Sequence, residues 1–324
     1  MIKKPRTKPL KLLKLEVILQ RLVLNHPNIG ELQIELAKYT AGHRGEASLA
    51  YHLNDLDEDS YVILHDLRLP RDKDKQYYFQ IDCVIIHFSF CVLLEVKNLK
   101  GDLYFDHQFD QMRRTINGED ETFPDPVNQV EQQKDHFKKW LTRNQFPLIP
   151  LHTLVVITNP KSFITISPRY GNKAAQIIRA KHLARIINNL PKLQNQLLTK
   201  KDISKITTRM LKQHQQLNTD LLKTYHIKDS DIMTGVACPF CKHLPMVRKK
   251  ATWYCSACFK KSKNAHIQAI RDYAILFNVN VKNKTLRNFL HVHSSTSMKN
   301  LLKSMDINPS GPTNSATYQL PFPK

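Results

Sequence analysis

No stretch of this 324-residue sequence approaches the roughly 20 consecutive apolar residues of a membrane-spanning helix. A secretory leader is missing too: the N-terminus is basic, but Lys11, Lys14, Glu16 and Arg21 interrupt any apolar run there. Both absences predict a cytoplasmic protein without a membrane partner. Cysteine is scarce, at six, and four of the six stand in two Cys-x-x-Cys pairs. In a reducing compartment that usage points to metal rather than to disulfides. Acidic residues are few beside basic ones, 28 against 49, which leaves a formal charge of +21. Such a surplus favours a polyanionic partner, nucleic acid ahead of an anionic membrane surface. A lysine-rich surface that serves only solubility has the same composition.

Glycine and proline are absent from Gln80–Lys97, which reads as two apolar strands, Ile81–Phe88 and Phe90–Val96. Three charged residues break the apolar pattern: Asp82, Glu95 and Lys97. A strand alternates its faces, so Glu95 and Lys97 share one face while Val92, Leu94 and Val96 take the other. Charges in such a setting are costly unless paired or bound to metal. Two carboxylates on adjacent strands offer hard oxygen ligands for Mg²⁺, and a neighbouring lysine can orient a water or neutralise charge developing on a phosphate. A plain ion pair of Lys97 with Glu95 or Asp82 accounts for the same three residues.

The flanks add context. Upstream stands Gly42-His43-Arg44-Gly45-Glu46; downstream, Gly101 and Asp125-Pro126-Val127-Asn128-Gln129. With Gln80-Ile81-Asp82 and Glu95-Val96-Lys97-Asn98, these segments resemble the nuclease-related (NERD) domain over about residues 40–160. That family is a branch of the PD-(D/E)xK nuclease-like superfamily. Two positions depart from its pattern: Cys83 stands where histidine is common, and Asp125 where asparagine usually precedes the proline. Neither departure removes a metal ligand. The resemblance implies an α/β, restriction-endonuclease-like αβββαβ core that hydrolyses phosphodiester bonds. Asp82 and Glu95 would bind Mg²⁺ or Mn²⁺, Lys97 would position the attacking water, and Glu46 and Gln129 would support them. Read without the resemblance, Glu46 is a first-turn glutamate complementing a helix dipole, and Gln129 a surface glutamine.

Around this core (41–160) the pattern predicts further parts. Residues 1–40 read as a basic, disordered lead-in to Pro9 followed by helices, with Leu15, Ile18, Leu19 and Leu22 on one face. A second helix at Glu31–Tyr39 precedes one that starts at Gly45-Glu46 and buries Leu49, Ala50 and Leu53. Asp102–Ile116 suggests a hairpin, with Asn117-Gly118 as a turn. Asp125 can cap a helix that has Pro126 at its first position and buries Val130, Phe137, Trp140 and Leu141. Leu154–Ile157 reads as a strand buried on both faces. Residues 172–225 form a basic helical segment, and Lys223–Gly235 a linker.

Cys238-Pro-Phe-Cys241 and Cys255-Ser-Ala-Cys258 can gather four thiolates around one tetrahedral Zn²⁺, which predicts a structural zinc ribbon over 236–262. Residues 264–307 then show three short helices that resemble a helix-turn-helix. The last begins near Ser295 and would present Ser295, Thr296, Ser297, Lys299 and Asn300 to DNA. Helical hairpins without that function are common. Residues 308–324 read as a mobile tail. The expectation is a metal-dependent nuclease acting on nucleic acid, DNA ahead of RNA. Two other classes fit the sequence: a nucleic-acid-binding protein with an inactive core, and an accessory subunit that acts only with a partner.

Overall fold

The computed structural model describes residues 1–191, 197–312 and 316–322. The chain divides into two units, Met1–Thr7 with Thr40–Leu217, and Lys8–Tyr39 with Asn218–Lys324. The elements up to Ile116 are β1 (Ile2–Lys4), α1 (Leu10–Arg21), α2 (Ile29–Leu53), β2 (Val62–Pro70), β3 (Tyr78–Ile86), β4 (Cys91–Lys97), β5 (Gly101–Asp106) and β6 (Gln111–Ile116). Then follow β7 (Glu119–Pro124), α3 (Pro126–Arg143), β8 (Leu151–Ile157), β9 (Ser162–Ile166), β10 (Ile177–Arg179), α4 (Leu183–Asn188), α5 (Lys200–Gln213) and α6 (Leu221–Thr224). The last are β11 (Val247–Lys249), β12 (Thr252–Tyr254), β13 (Lys261–Ser262), α7 (Ala265–Leu276), β14 (Asn280–Lys282), α8 (Asn283–Leu290), α9 (Ser295–Lys303), β15 (Pro309–Ser310) and β16 (Thr317–Gln319).

The first unit is a mixed α/β fold built on a six-stranded sheet of order β1-β2-β3-β4-β8-β10. β8 runs parallel to both neighbours. A strand so placed is buried on both faces, which is why Leu154–Ile157 is apolar without alternation. Val155 and Ile157 join one core with Val130, Phe137, Trp140 and Leu141 of α3, while Leu154 and Val156 join another with Leu49 and Leu53 of α2. Each such fully buried side chain contributes about 1.5–3 kcal/mol of burial free energy. Asn117-Gly118 forms a left-handed turn between β6 and β7, φ 53° and 82°, and a second sheet runs β7-β6-β5-β9.

Several expectations need correction. The lead-in is ordered: β1 pairs parallel with β2, because the outer edge of β2 offers unpaired backbone groups that an extended segment can satisfy. Glu31–Tyr39 and the helix at Gly45 are one helix, α2, of 25 residues, and its Ala50 is exposed rather than buried. Residues 172–225 are not uniformly helical. Ile177–Arg179 forms β10, since its β-branched pair completes the sheet beside β8.

In the second unit, the expected linker at Lys223–Gly235 is packed structure. Leu221, Leu222, Tyr225, Ile227 and Ile232 form a core with Leu15, Val17 and Ile18 of α1 and with Leu22 just after it. The ribbon and the helices after it, expected as separate domains, share one core: Cys238, Trp253 and Cys255 pack with Ile270, Leu290 and Leu302. A three-stranded ribbon is too small to bury its own apolar face, so it uses α7–α9. Part of the expected tail lies outside the described residues; the rest supplies β15 and β16, which pair with β14 in a sheet of order β14-β16-β15. Tyr318 and Leu320 are buried there, an apolar content that outweighs the flanking Pro, Ser and Gly.

Candidate functional site

At Asp82 the two strands β2 and β3 change phase together. Leu64 and Leu67, three residues apart, face the same core, as do Ile81 and Val84. Side chains in a regular strand alternate, so an odd spacing on one face means a local slip. Asp66, between Leu64 and Leu67, has φ 58°. The slip lifts Asp66 and Asp82 out of the apolar pattern, and the β3–β4 ladder stops at Cys83 and Leu94, just short of Asp82 and Glu95. Asp82 Oδ2 instead accepts from Val96 N–H at 2.8 Å.

Glu95 is 3% exposed. Its Oε1 accepts from Lys97 Nζ at 2.8 Å and its Oε2 from Gln133 Nε2 at 2.8 Å. Lys97 also donates to Gln129 Oε1 at 3.2 Å. An ammonium has three donors, so one N–H of Lys97 remains beyond these two bonds. α3 thus delivers two amides from successive turns, Gln129 and Gln133. Its start is fixed by Asp125, whose Oδ1 accepts from Val127 N–H at 2.8 Å and whose Oδ2 accepts from the Tyr170 hydroxyl. That pairing gives the aspartate at the helix cap a structural reason.

Glu46 reaches the site because of Gly45. A Cβ on Gly45 would lie 2.1 Å from Asn98 Cβ and 2.8 Å from Thr158 Oγ1, so only glycine lets α2 approach the ends of β4 and β8 this closely. Asn98 Nδ2 donates to Ala41 O at 2.7 Å across the same interface. Glu46 pairs with Arg6, whose Nη2 also donates to Asp82 O at 2.8 Å and whose Nη1 lies 3.8 Å from Asp66 Oδ1.

Four carboxylates, Glu46, Asp66, Asp82 and Glu95, therefore meet Arg6 and Lys97, with Lys4 in electrostatic reach of Asp66. The imbalance shows in their acidity. Burial pushes Asp82 well above the usual carboxylate range; the charges of Glu95 and Glu46 add to this, while the Val96 N–H and Arg6 oppose it. Burial raises Glu46 as well, against Arg6, with Asp66 and Glu95 adding to the rise and Lys97 opposing it. Hard oxygen donors with surplus negative charge suit a divalent cation, which would lower both values. Cys83, by contrast, is fully buried in the core on the α2 side, and burial pushes its thiol up to about 12. It behaves as a small apolar residue there.

The structure thus brings Glu46, Asp82, Glu95, Lys97 and Gln129 into one neighbourhood. Sequence reasoning missed Arg6 and Gln133. Gln133 was accessible from helical spacing, four residues beyond Gln129. Arg6 carried no such signal, because only the pairing of β1 with β2 places it.

In the second unit, the sulfurs of Cys238, Cys241, Cys255 and Cys258 all lie within 4.8 Å of one another, with Cys238–Cys258 at 3.6 Å and Cys241–Cys255 at 3.5 Å. Sulfurs about 2.3 Å from a tetrahedral zinc are separated by about 3.8 Å, so four free thiols in this arrangement fit that ion. Four cysteines leave no open position, and the ion they would hold is structural. Ser295, Thr296, Lys299 and Asn300 are exposed on α9, which Ser294 caps by accepting from Ser297 N–H at 3.2 Å. Among the described residues no helix is long and apolar enough to cross a membrane.

Residues 41–158 match the family model of the nuclease-related domain, NERD. No curated protein and no solved structure matches the chain. The matched segment covers α2 from Ala41 through β8 and contains Glu46, Asp82, Glu95, Lys97 and Gln129. This chain carries a nuclease-related domain of nuclease-like α/β fold, together with a four-cysteine cluster of zinc-ribbon type.

Proposed function

We propose that the nuclease-related domain is a metal-dependent nuclease that hydrolyses phosphodiester bonds, with DNA as the principal substrate. The observation that carries this reading is the excess of carboxylates over cations around Asp82 and Glu95, held beside a lysine with a donor to spare. Asp82 and Glu95 would hold Mg²⁺ or Mn²⁺, which when bound supplies positive charge against the phosphate oxygens. Lys97, anchored by Glu95 and Gln129, directs its third N–H toward the attacking water or a phosphate oxygen. Gln133 fixes the Glu95 carboxylate, so that its oxygens keep one orientation as charge develops. Arg6 holds Glu46 and the Asp82 carbonyl, positioning the helix that borders the site. Exposed side chains of α9 would bind the substrate as well.

The second reading is a nucleic-acid-binding protein with a silent core. The pairing of Arg6 with Glu46 and of Lys97 with Glu95 favours it, since the chain's own cations already neutralise part of the charge. Purified protein with Mg²⁺ or Mn²⁺ on labelled single- and double-stranded DNA and RNA separates the two. Cleavage that falls by about 10²–10³ or more in Glu95→Gln, Asp82→Asn and Lys97→Ala supports the enzyme. Cleavage that survives intact in Glu95→Gln and Asp82→Asn would falsify it, and no cleavage by the native chain supports the second reading.

A further inference from the structure

The ribbon holds more than a metal needs. Each of its two knuckles closes with a left-handed residue immediately after the second cysteine: Lys242, φ 65°, and Phe259, φ 58°. The two turns match, with Lys242 N–H donating to Cys238 O at 2.9 Å and Phe259 N–H to Cys255 O at 3.1 Å. Glycine adopts this conformation freely, whereas a bulky residue in it is strained. A phenylalanine here is doubly unfavourable, because its ring is 83% exposed. Neither the fold nor the thiolates require that ring.

A second exposed ring lies nearby. Phe240, between the first two cysteines, is 55% exposed, and Lys260 Nζ sits 4.9 Å from its centroid. Lys260 follows Phe259 directly, so the stretch that carries Phe259 reaches the Phe240 ring through Lys260. The charge around them is of one sign. Between Asp231 and Asp272 the sequence contains eight Lys or Arg residues and no Asp or Glu. Four thiolates with a divalent ion leave two negative charges, too few to cancel this field.

Exposed rings interleaved with lysines match the chemistry of unpaired nucleic acid, whose bases stack on aromatic faces while its phosphates meet cations. A duplex keeps its bases stacked inside and offers these rings no partner. We propose that the ribbon is a single-strand nucleic-acid platform, on which bases stack against Phe240 and Phe259 and phosphates meet Lys242 and Lys260. This platform uses no residue of α9 or of the carboxylate site, and it stands whether or not the core cleaves.

The test is the affinity of the full chain, zinc-loaded and without added Mg²⁺ or Mn²⁺, for labelled oligo-dT, oligo-rU and a mixed-sequence duplex of equal length. Phe240→Ala and Phe259→Gly are each expected to weaken binding of both single strands about tenfold while leaving duplex affinity nearly unchanged. Phe259→Tyr should retain the native affinity. Because Phe259→Gly relieves a strained backbone, zinc content should hold or rise, which separates lost binding from lost fold. Lys242→Gln with Lys260→Gln, both exposed, should flatten the log–log salt dependence by about 0.7 for each phosphate no longer neutralised. These affinities are read without divalent metal, where no cleavage is required, so failure of the nuclease reading and failure of this one are told apart. Unaltered single-strand affinity in Phe240→Ala and Phe259→Gly, or an equal loss on the duplex, overturns the platform.

Discussion

Each unit buries an arginine against carboxylates, and the two constellations differ in a way that separates structure from chemistry. In the second unit Arg21 and Asp272 are 0% and 1% exposed. Arg21 Nε and Nη2 donate to Asp272 Oδ2 at 2.9 and 2.8 Å, and Nη1 to the carbonyls of Met233 and Gly235, both at 3.2 Å. Gln268 Nε2 donates to the other Asp272 oxygen at 2.8 Å. One cation faces one anion, and four of the five guanidinium N–H donors are bonded. In the first unit Arg6 and Lys97 face four carboxylates, two of which hold their protons more tightly than usual. A buried pair of balanced charge has no surplus charge to offer a ligand. An unbalanced cluster has charge to spare, and its four carboxylates lie within the nuclease-related domain, Asp66 and Asp82 in mid-strand.

The largest effect should come from the thiol cluster. Structural zinc sites supply about 10–16 kcal/mol of apparent binding free energy. Cys238→Ser with Cys241→Ser, or chelation, should therefore unfold the ribbon and loosen α7–α9, whose core it shares, while the first unit stays folded. The chain has two tryptophans, Trp140 in the first unit and Trp253 in the second, both fully buried. Fluorescence of Trp140→Phe and Trp253→Phe versions reports each unit separately. Loss of the Trp140 signal on chelation would contradict their independence.

Arg21→Ala comes next. It strands a buried carboxylate, a change of about 3–5 kcal/mol, and denaturation followed through Trp253 should show it. Arg6→Ala should disturb the first unit less and its metal affinity more, because the lost charge leaves an already negative cluster. The same contrast governs truncation. Removal of everything after Tyr225 strips α1 of Asp272 and of Ile232, so the remaining chain should aggregate unless Lys8–Tyr39 is removed or resurfaced. A soluble, monomeric truncation with native α1 would break the comparison.

Gly45→Ala probes the unbalanced site through its scaffold. The added methyl forces α2 away from Asn98 and Thr158, an overpacking of about 1–3 kcal/mol. It should lower cleavage more than thermal stability, since Glu46 moves with the helix. Equal loss of both would make Gly45 merely a packing residue.

The smallest effect concerns pH. In the folded protein Asp82 keeps its proton to a higher pH than in the unfolded chain. The folded state thus holds more protons between those two values, and stability falls as pH rises through that window. Asp82→Asn removes the penalty, so above that window and without divalent metal it should melt higher than the native protein. Mg²⁺ or Mn²⁺ should bind the native protein more tightly as pH rises and displaces that proton. A variant that melts lower than the native protein, with or without metal, would show Asp82 to be structural.

What could be read from the sequence alone was local. The strands β3, β4 and β8, the cap of α3 at Asp125, the four cysteines and the neighbouring carboxylates each announce themselves by spacing, because periodicity and capping depend on residues a few positions apart. The resemblance carried by Gly45-Glu46, Asp82, Glu95-Val96-Lys97 and Pro126–Gln129 extended this to a site. The tertiary structure alone decided where each piece of the first 40 residues belongs. Arg21 reads in sequence as a charge that spoils an apolar stripe, yet it pairs with a residue 251 positions away. Arg6 reads as part of a basic lead-in, yet the pairing of β1 with β2 places it against Glu46, Asp66 and Asp82. No local pattern encodes such partners, since a buried charge declares only that it must be compensated, and which distant group compensates it follows from the packing of the whole chain.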